Sequence, residues 1–429
     1  MKYFSPVFFL SISALCQAQS HDMETTSMSH AGSNLQMPLN EHVDPIEIDL
    51  QLTLPALIEQ TLEVYPDRLI NEALENEADA LDVRGDSWVA GSDALYLDYS
   101  SDQLSNNNGN RNASVKLEFT PWFWGQRSAA QNIAIEAHRS AIKQSAAVKL
   151  EVARLVREAL WNIALANIRL EQAKFNLEIS SKLLDKVRRR VDLGDLARSD
   201  LLLAESEYLQ NRSLYNQAEA EMMHSRKNYA NLTKTTHIPV NFQEQLSNIT
   251  AVQPTHPMLE AINAIIARKH ATIEWAKTTD TINQPKFNIG TQSSHDPVNG
   301  NNQVSAIGVV IPFGHGTYDA PEIAAANLEM NRALAQREHI QRLIEKNFHE
   351  AEHALELTRK ELSIAKELKD IAETHLKMTE TSFAAGDINL LDLLKIQARS
   401  LEAIRNAKEQ EVKLQRDIAF YNQAVGVQP

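Results

Sequence analysis

Prolines, turn residues and helix-end residues of this chain recur in step. Pro66, the run Asn108-Gly109-Asn110, Pro121 and Gly125 return as Pro257, Asn299-Gly300-Asn301, Pro312 and Gly316, each 191 positions on (257 − 66). Farther along, Gly194-Asp195, Asp200-Leu201-Leu202 and Tyr229 return as Gly386-Asp387, Asp392-Leu393-Leu394 and Tyr421, now 192 apart (386 − 194) after a one-residue insertion. Residues that stop helices and shape turns keep register over nearly the whole chain, which a shared composition does not produce. A period this long is a duplicated half-molecule, so whatever one half builds is built twice.

Each half changes its hydrophobic period in the same order. Leu54 to about Val89 reads as helix interrupted at Tyr65-Pro66, and His256-Pro257 opens the second half in the same way. Leu95, Leu97 and Tyr99 then alternate with Tyr96 and Asp98. After a polar loop at 101–112, Val115, Leu117 and Phe119 alternate with Lys116, Glu118 and Thr120. Period two on both sides of an Asn-Gly-rich loop predicts a β-hairpin. Phe287, Ile289 and Thr291, the loop at 299–301 and the run 304–311 predict a second one.

Past Trp124-Gly125 the period turns helical and holds to about Arg190, a rod of about 95 Å at ~1.5 Å per residue. Ala159, Ile163, Ala166, Leu170, Ala173, Leu177, Leu184, Val187 and Val191 step by threes and fours, as a coiled-coil seam does. The rod breaks at 192–195 and a second helix returns from about Leu196 to Leu232. The second half predicts a helix from about Pro321 to Phe383, a break at Ala385-Gly386-Asp387 and a return from Leu390 to Ala424.

Residues 1–18 hold one cation, Lys2, then an apolar stretch from Phe4 to Cys16, and end in Gln17-Ala18: a secretory signal peptide. Leu15 occupies the place where lipid attachment at Cys16 wants a small residue, and it counts against an acylated terminus. Cleavage after Ala18 leaves no cysteine, so neither disulfides nor thiol chemistry is in play. No later segment approaches the roughly 20 apolar residues of a spanning helix, so any entry into a membrane must be made by strands. The net charge of −14 argues against a nucleic-acid partner. The expected organisation is a signal peptide at 1–18, a disordered Met/His-containing tail at 19–50, a first repeat at 51–234, a connector at 235–254 and a second repeat at 255–429. Within the tail, His21, Met23, Met28 and His30 pair thioethers with imidazoles, a combination that suits soft or borderline metals. An ordinary exported polar leader is the simpler explanation, because spacing without a fold fixes no coordination geometry.

Four strands cannot close on themselves, and an open sheet edge is not tolerated in lipid, so other copies of the chain must complete the sheet. Leu, Tyr, Val and Phe on one face suit lipid, while Asp98, Lys116 and Glu118 on the other suit water. Pro121, Trp122 and Trp124 close the first hairpin and Pro312 the second, where an aromatic girdle belongs. The helices are too polar for lipid and too long for a compact domain, so they project as a tube through the periplasm.

The duplicated unit, the proline-closed hairpins and the paired Gly-Asp tips followed by Asp-Leu-Leu resemble the TolC outer-membrane factor family over about residues 50–426. The fold implied is mainly α with a small β part. Its duplicated helix–hairpin–helical-hairpin unit makes a homotrimer with a 12-stranded outer-membrane barrel (three copies of four strands), continuous with a periplasmic α-helical coiled-coil barrel. The implied function is the passive exit channel of a tripartite efflux system in a Gram-negative outer membrane. A periplasmic adaptor protein and an inner-membrane pump, of the RND type, would be its partners, outer-membrane lipid its surroundings, and no cofactor would be required.

By the same resemblance Gly194, Asp195, Leu196, Gly386, Asp387 and Ile388 form the periplasmic tip that the adaptor touches, and Asp192, Asp200, Asp387 and Asp392 are the aperture candidates. A ring of carboxylates attracts cations, although an aspartate at a helix start also stabilises that helix by itself. Arg188, Arg189 and Arg190 stand at a helix C-terminus, which favours cations anyway. The Met/His tail leans the reading toward heavy-metal cations and the CzcC- or CusC-like branch. Multidrug efflux or type I protein secretion is the alternative cargo.

Two other classes compete. His349-Glu350-Ala351-Glu352-His353 matches the string in which two histidines one turn apart bind zinc and the glutamate activates water, the signature of a secreted metalloprotease. It lies within a predicted coiled coil, its repeat partner at 157–161 is Arg-Glu-Ala-Leu-Trp, and no third ligand follows. A secreted coiled-coil rod would explain the heptads and leave the two in-register hairpins unexplained.

Overall fold

The computed structural model describes residues 46–101, 109–278, 284–311 and 316–429. The leader, the tail candidates His21, Met23, Met28 and His30, the turn residue Asn108 and the hairpin-closing Pro312 lie outside the described residues.

The elements in order are β1 (Glu47–Asp49), α1 (Leu54–Val64), α2 (Arg68–Asp86), β2 (Ala94–Ser101), β3 (Arg111–Phe119), α3 (Gln126–Asp192), α4 (Arg198–Thr233), β4 (His237–Pro239), α5 (Pro257–Thr278), β5 (Lys286–Asp296), β6 (Gly300–Val310), α6 (Gly316–Ala385) and α7 (Leu390–Ala424). From α2 onward the sequence helix, hairpin, long helix, return helix occurs twice. The first half adds α1. Thr53 Oγ1 caps it by accepting the Ala56 N–H at 3.3 Å, and Leu54, Leu57, Ile58 and Thr61 form its buried stripe. That stripe packs with Val152, Val156 and Leu160 of α3 in one apolar cluster.

Two helices run the length of the molecule. The 67 residues of α3 and the 70 of α6 extend about 100 Å at ~1.5 Å per residue. On the tip side α4, α3, α7 and α6 pack side by side in that order; on the sheet side α2 takes the place of α4 against α3, and α5 that of α7 between α3 and α6. Thus α4 and α6 form the two edges of a layer. The seam read from α3 is turned inward: Ile163, Ala166, Leu184 and Val187 are buried. Helical backbone in α6 sets in at Gly316, ahead of the Pro321 start expected from sequence; proline fixes φ at a helical value and is tolerated close to a helix start.

The four long strands form one antiparallel sheet in the order β2-β3-β5-β6, with Leu117 opposite Leu95 on one side and Ile289 on the other. A second, two-stranded sheet was not foreseen. β1 pairs in parallel with β4, Ile48 against Ile238, so the end of the segment expected to be disordered and the start of the connector are tied together. The repeated tyrosines share a task there: Tyr229 donates its hydroxyl to the His237 carbonyl and Tyr421 donates to that of Ile249 at 2.9 Å, each anchoring the connector to a return helix.

Candidate functional site

The tip residues occupy two helix ends of the same construction. Gly194 and Gly386 have φ of +81° and +88°, the left-handed conformation that glycine adopts without the clash a β-carbon brings. In the first tip Gly194 N–H donates to the Val191 carbonyl at 2.9 Å and Asp195 N–H to that of Arg190 at 2.8 Å. Gly386 donates to Phe383 at 3.2 Å and Asp387 to Ser382 at 2.9 Å in the second. Both are Schellman ends, in which the last helical carbonyls find donors after the helix stops.

One apolar cluster joins the tips. Leu184, Val187, Phe383, Leu390 and Leu393 are among its buried members, with Leu196 and Ile388 packed against it. The residue following each Gly-Asp pair therefore plugs its turn into a core shared by both hairpins. Arg190 crosses from one to the other: its guanidinium lies 5.4 Å from the Phe383 ring centroid and its Nε is 3.3 Å from Asp195 Oδ2.

The aperture candidates separate by environment. Asp200 Oδ2 accepts the Ala197 N–H at 3.2 Å and so caps α4, as an aspartate three residues into a helix does. Asp392 gives its own N–H to Asn389 Oδ1 at 2.8 Å, and its carboxylate stands 3.9 Å from Lys395. Asp192, the last residue of α3, and Asp387, on the second turn, are both exposed. Asp200 is thereby occupied by a helix start, whereas Asp192 and Asp387 offer their carboxylates to solvent. Between the two hairpins, a cleft is lined by Lys182, Lys186, Arg189 and Arg190 beside Asp195 and Glu380, a cationic excess that the arginine triplet announces in the sequence.

At the opposite end the sheet is two-faced. Leu95, Leu97, Val115, Leu117, Ile289 and Ile307 share one face and are exposed on it. The other face carries a polar network: Glu118 receives Lys286 at 3.0 Å and the Tyr96 hydroxyl at 3.3 Å, Lys116 stands 3.5 Å away, and Ser114 donates to Asp98 at 3.2 Å. Trp88, Phe119, Phe287, Trp122 and Trp124 gather where the strands meet the helices. Phe119 stacks between Trp88 and Phe287, Trp122 gives its Nε1–H to the Ser87 carbonyl at 2.8 Å, and Trp124 is 98% exposed. Pro121 and Trp122, named from sequence as strand-end residues, line a shallow recess with these aromatics. Among the described residues no helix is long and apolar enough to cross a membrane.

Residues 87–233 match the model of the outer membrane efflux protein family. That match spans the first hairpin and the first long helical hairpin. The solved CmeC outer membrane channel of Campylobacter jejuni superposes with a TM-score of 0.69 at 13% identity, covering 87% of this chain and 85% of that one. The open state of MtrE from Neisseria gonorrhoeae gives 0.66 at 16% identity over 87% and 89%, and CusC gives 0.64 at 13% over 87% and 92%. At these identities the likeness is one of fold. No curated protein matches the chain by sequence. His349, Glu350 and His353 of the zinc-hydrolase string lie on the unbroken α6, and among the described residues no third metal-ligating side chain joins the two histidines.

Proposed function

We propose that this protein is an outer membrane efflux channel that works as a homotrimeric exit duct, a passive conduit whose barrel crosses the outer membrane and whose helices reach through the periplasm. An adaptor protein docks at Gly194-Asp195-Leu196 and Gly386-Asp387-Ile388 and loosens the shared apolar cluster, opening an aperture lined by Asp192 and Asp387 and flanked by Asp392. An inner-membrane pump of the RND type supplies the energy. The observation that carries the reading is the sheet: one apolar face, one ion-paired face, and two unpaired edges, β2 and β6. Unpaired peptide groups are prohibitive in lipid, so such a sheet is stable there only when copies close it into a ring. The helical layer agrees. Its edge helix α6 exposes Leu357, Ile364, Ile371 and Met378 at steps of seven, all more than half exposed, and its other edge α4 exposes Leu202 and Leu209.

Planar-bilayer recording of the purified protein tests the duct. A heat-modifiable trimer that conducts ions supports it, and a soluble, non-conducting dimer or monomer rules it out. Asp392→Ala should change conductance or block by divalent cations; unchanged values for both would take Asp392 out of the aperture. The cargo we assign is heavy-metal cations, a reading that rests on the methionines and histidines of residues 19–50. Deletion of the gene should lower tolerance to copper, zinc or cobalt salts. Loss of tolerance to organic toxicants alone would transfer the duct to a multidrug system.

A further inference from the structure

His349 and His353 stand one turn apart on α6, and the duct reading gives them no work. α6 has three faces. Phe348, Leu355, Thr358 and Leu362 are buried within the layer, Leu357, Ile364 and Ile371 make the exposed apolar stripe, and His349, His353, Glu356 and Lys360 lie on the third, polar face. Both imidazoles are exposed, and the His349 ring also lies 5.9 Å from the Phe348 ring centroid. The His349 side chain is 71% exposed, with Glu352 Oε2 at 3.8 Å from its Nδ1. Among the described residues no hydrogen bond holds either ring. Glu350, the second residue of the zinc-hydrolase string, is elsewhere: it is 3.6 Å from Lys346 and lines a cavity with Leu150, His256 and Phe420.

Side chains at i and i+4 of a helix are neighbours, with β-carbons about 5–6 Å apart, and two imidazoles so placed can close on one ion. Imidazole suits Zn(II), Ni(II) and Cu(II), with Cu(II) held most tightly of the three. Glu352 adds negative charge beside the pair, which favours a cation over an anion, while Glu356 is held by Lys360 at 2.7 Å. We propose that His349 and His353 form a bidentate surface site for a divalent transition-metal cation, with water completing the coordination and no hydrolytic role. One site per protomer would hold a cation on the helical part of the duct. The inference does not rest on the cargo reading, because it concerns equilibrium binding to the purified protein and not transport.

Titration of the full-length protein in detergent with Cu(II), followed by electron paramagnetic resonance, tests it. A comparison protein carrying His21→Ala, Met23→Leu, Met28→Leu and His30→Ala removes the tail's ligands. The expected result is a Cu(II) signal with nitrogen hyperfine structure that persists in the comparison protein. His349→Ala and His353→Ala, each made in that background, should weaken binding by at least about tenfold, the scale on which even outer-shell changes act. The double variant should bind no more weakly than the weaker single, since a chelate is lost with its first arm. Circular dichroism will verify that α6 remains folded. Binding in the double variant equal to that of the comparison protein would overturn the proposal, and so would loss of the signal with the tail substitutions alone.

Discussion

At Arg157 the fold takes a cation wholly out of water. Its side chain is 0% exposed, Nε and Nη2 each approach a Glu244 oxygen at 2.7 Å, Nη1 donates to Gln423 Oε1 and Nη2 to the Val427 carbonyl at 3.2 Å. Asn422 also donates to Glu244, at 3.1 Å, so connector, α3 and the end of α7 meet at one ion pair. Removing one partner strands the other charge. Arg157→Met should cost about 3–5 kcal/mol, seen as a lowered midpoint of denaturant unfolding in detergent, and Arg157→Met with Glu244→Leu should cost less than the single change. His256 is a second buried group, 3% exposed, with its Nδ1 accepting the Met258 N–H at 3.3 Å. Burial pushes its pKa below the usual imidazole value. The unfolded ring titrates near ~6.5, so its contribution to stability is complete above that pH and is lost as pH falls toward the lower folded value. His256→Gln should flatten the dependence of Tm on pH below about 6.5.

Elements make different demands. Helix ends at Gly194 and Gly386 need φ near +80°, and nothing lies within 4 Å of a β-carbon built there. Gly194→Ala therefore meets only backbone strain, about 1–2 kcal/mol, and should speed amide hydrogen exchange around residues 190–196 while leaving α3 near Arg157 protected. Gly194→Asn should be milder, because asparagine visits that conformation more readily. The stripe on α6 is a different kind of feature, complete in one protomer and idle there. Ile371→Lys changes a side chain that is 65% exposed. It should leave the protomer's helix content unchanged and shift native mass in detergent from trimer to monomer; a trimer of normal heat stability would remove this stripe from the subunit contact.

For the whole molecule, the separation of tasks follows from solvent. In the proposed duct, peptide groups in lipid must pair within the sheet, so the edges β2 and β6 need further copies to join them, whereas helices satisfy their own peptides and can stand in water. The two ends are also built differently. The sheet end presents apolar side chains outward with aromatics below, and the tip end is held by a small apolar cluster and one arginine, Arg190, that spans both hairpins. A conduit that must open at one end only would be weakest at that cluster. Leu393→Asp should accordingly raise basal conductance in planar bilayers without changing trimer mass, and unchanged conductance would move the constriction away from the tip.

Much of this was legible in the chain because the signals are local. Period two, heptad steps and Gly-Asp breaks depend only on near neighbours, so the mainly α class, both hairpins and the two long helices could be read before any coordinates. Pairing across the sequence left no such trace. β1 and β4 are three residues each and lie in parallel nearly the length of one repeat apart, and Arg157 sits in a helix where a charge reads as solvent-facing. That Asp200 caps α4 by accepting the Ala197 N–H is likewise visible only in the folded chain. The sequence by itself determined the elements and their repetition, since backbone preference and amphipathic spacing are written residue by residue. Only the tertiary structure decided which charges are buried, which tips share a core and which apolar stripes remain unpartnered, because those depend on what the folded chain removes from water.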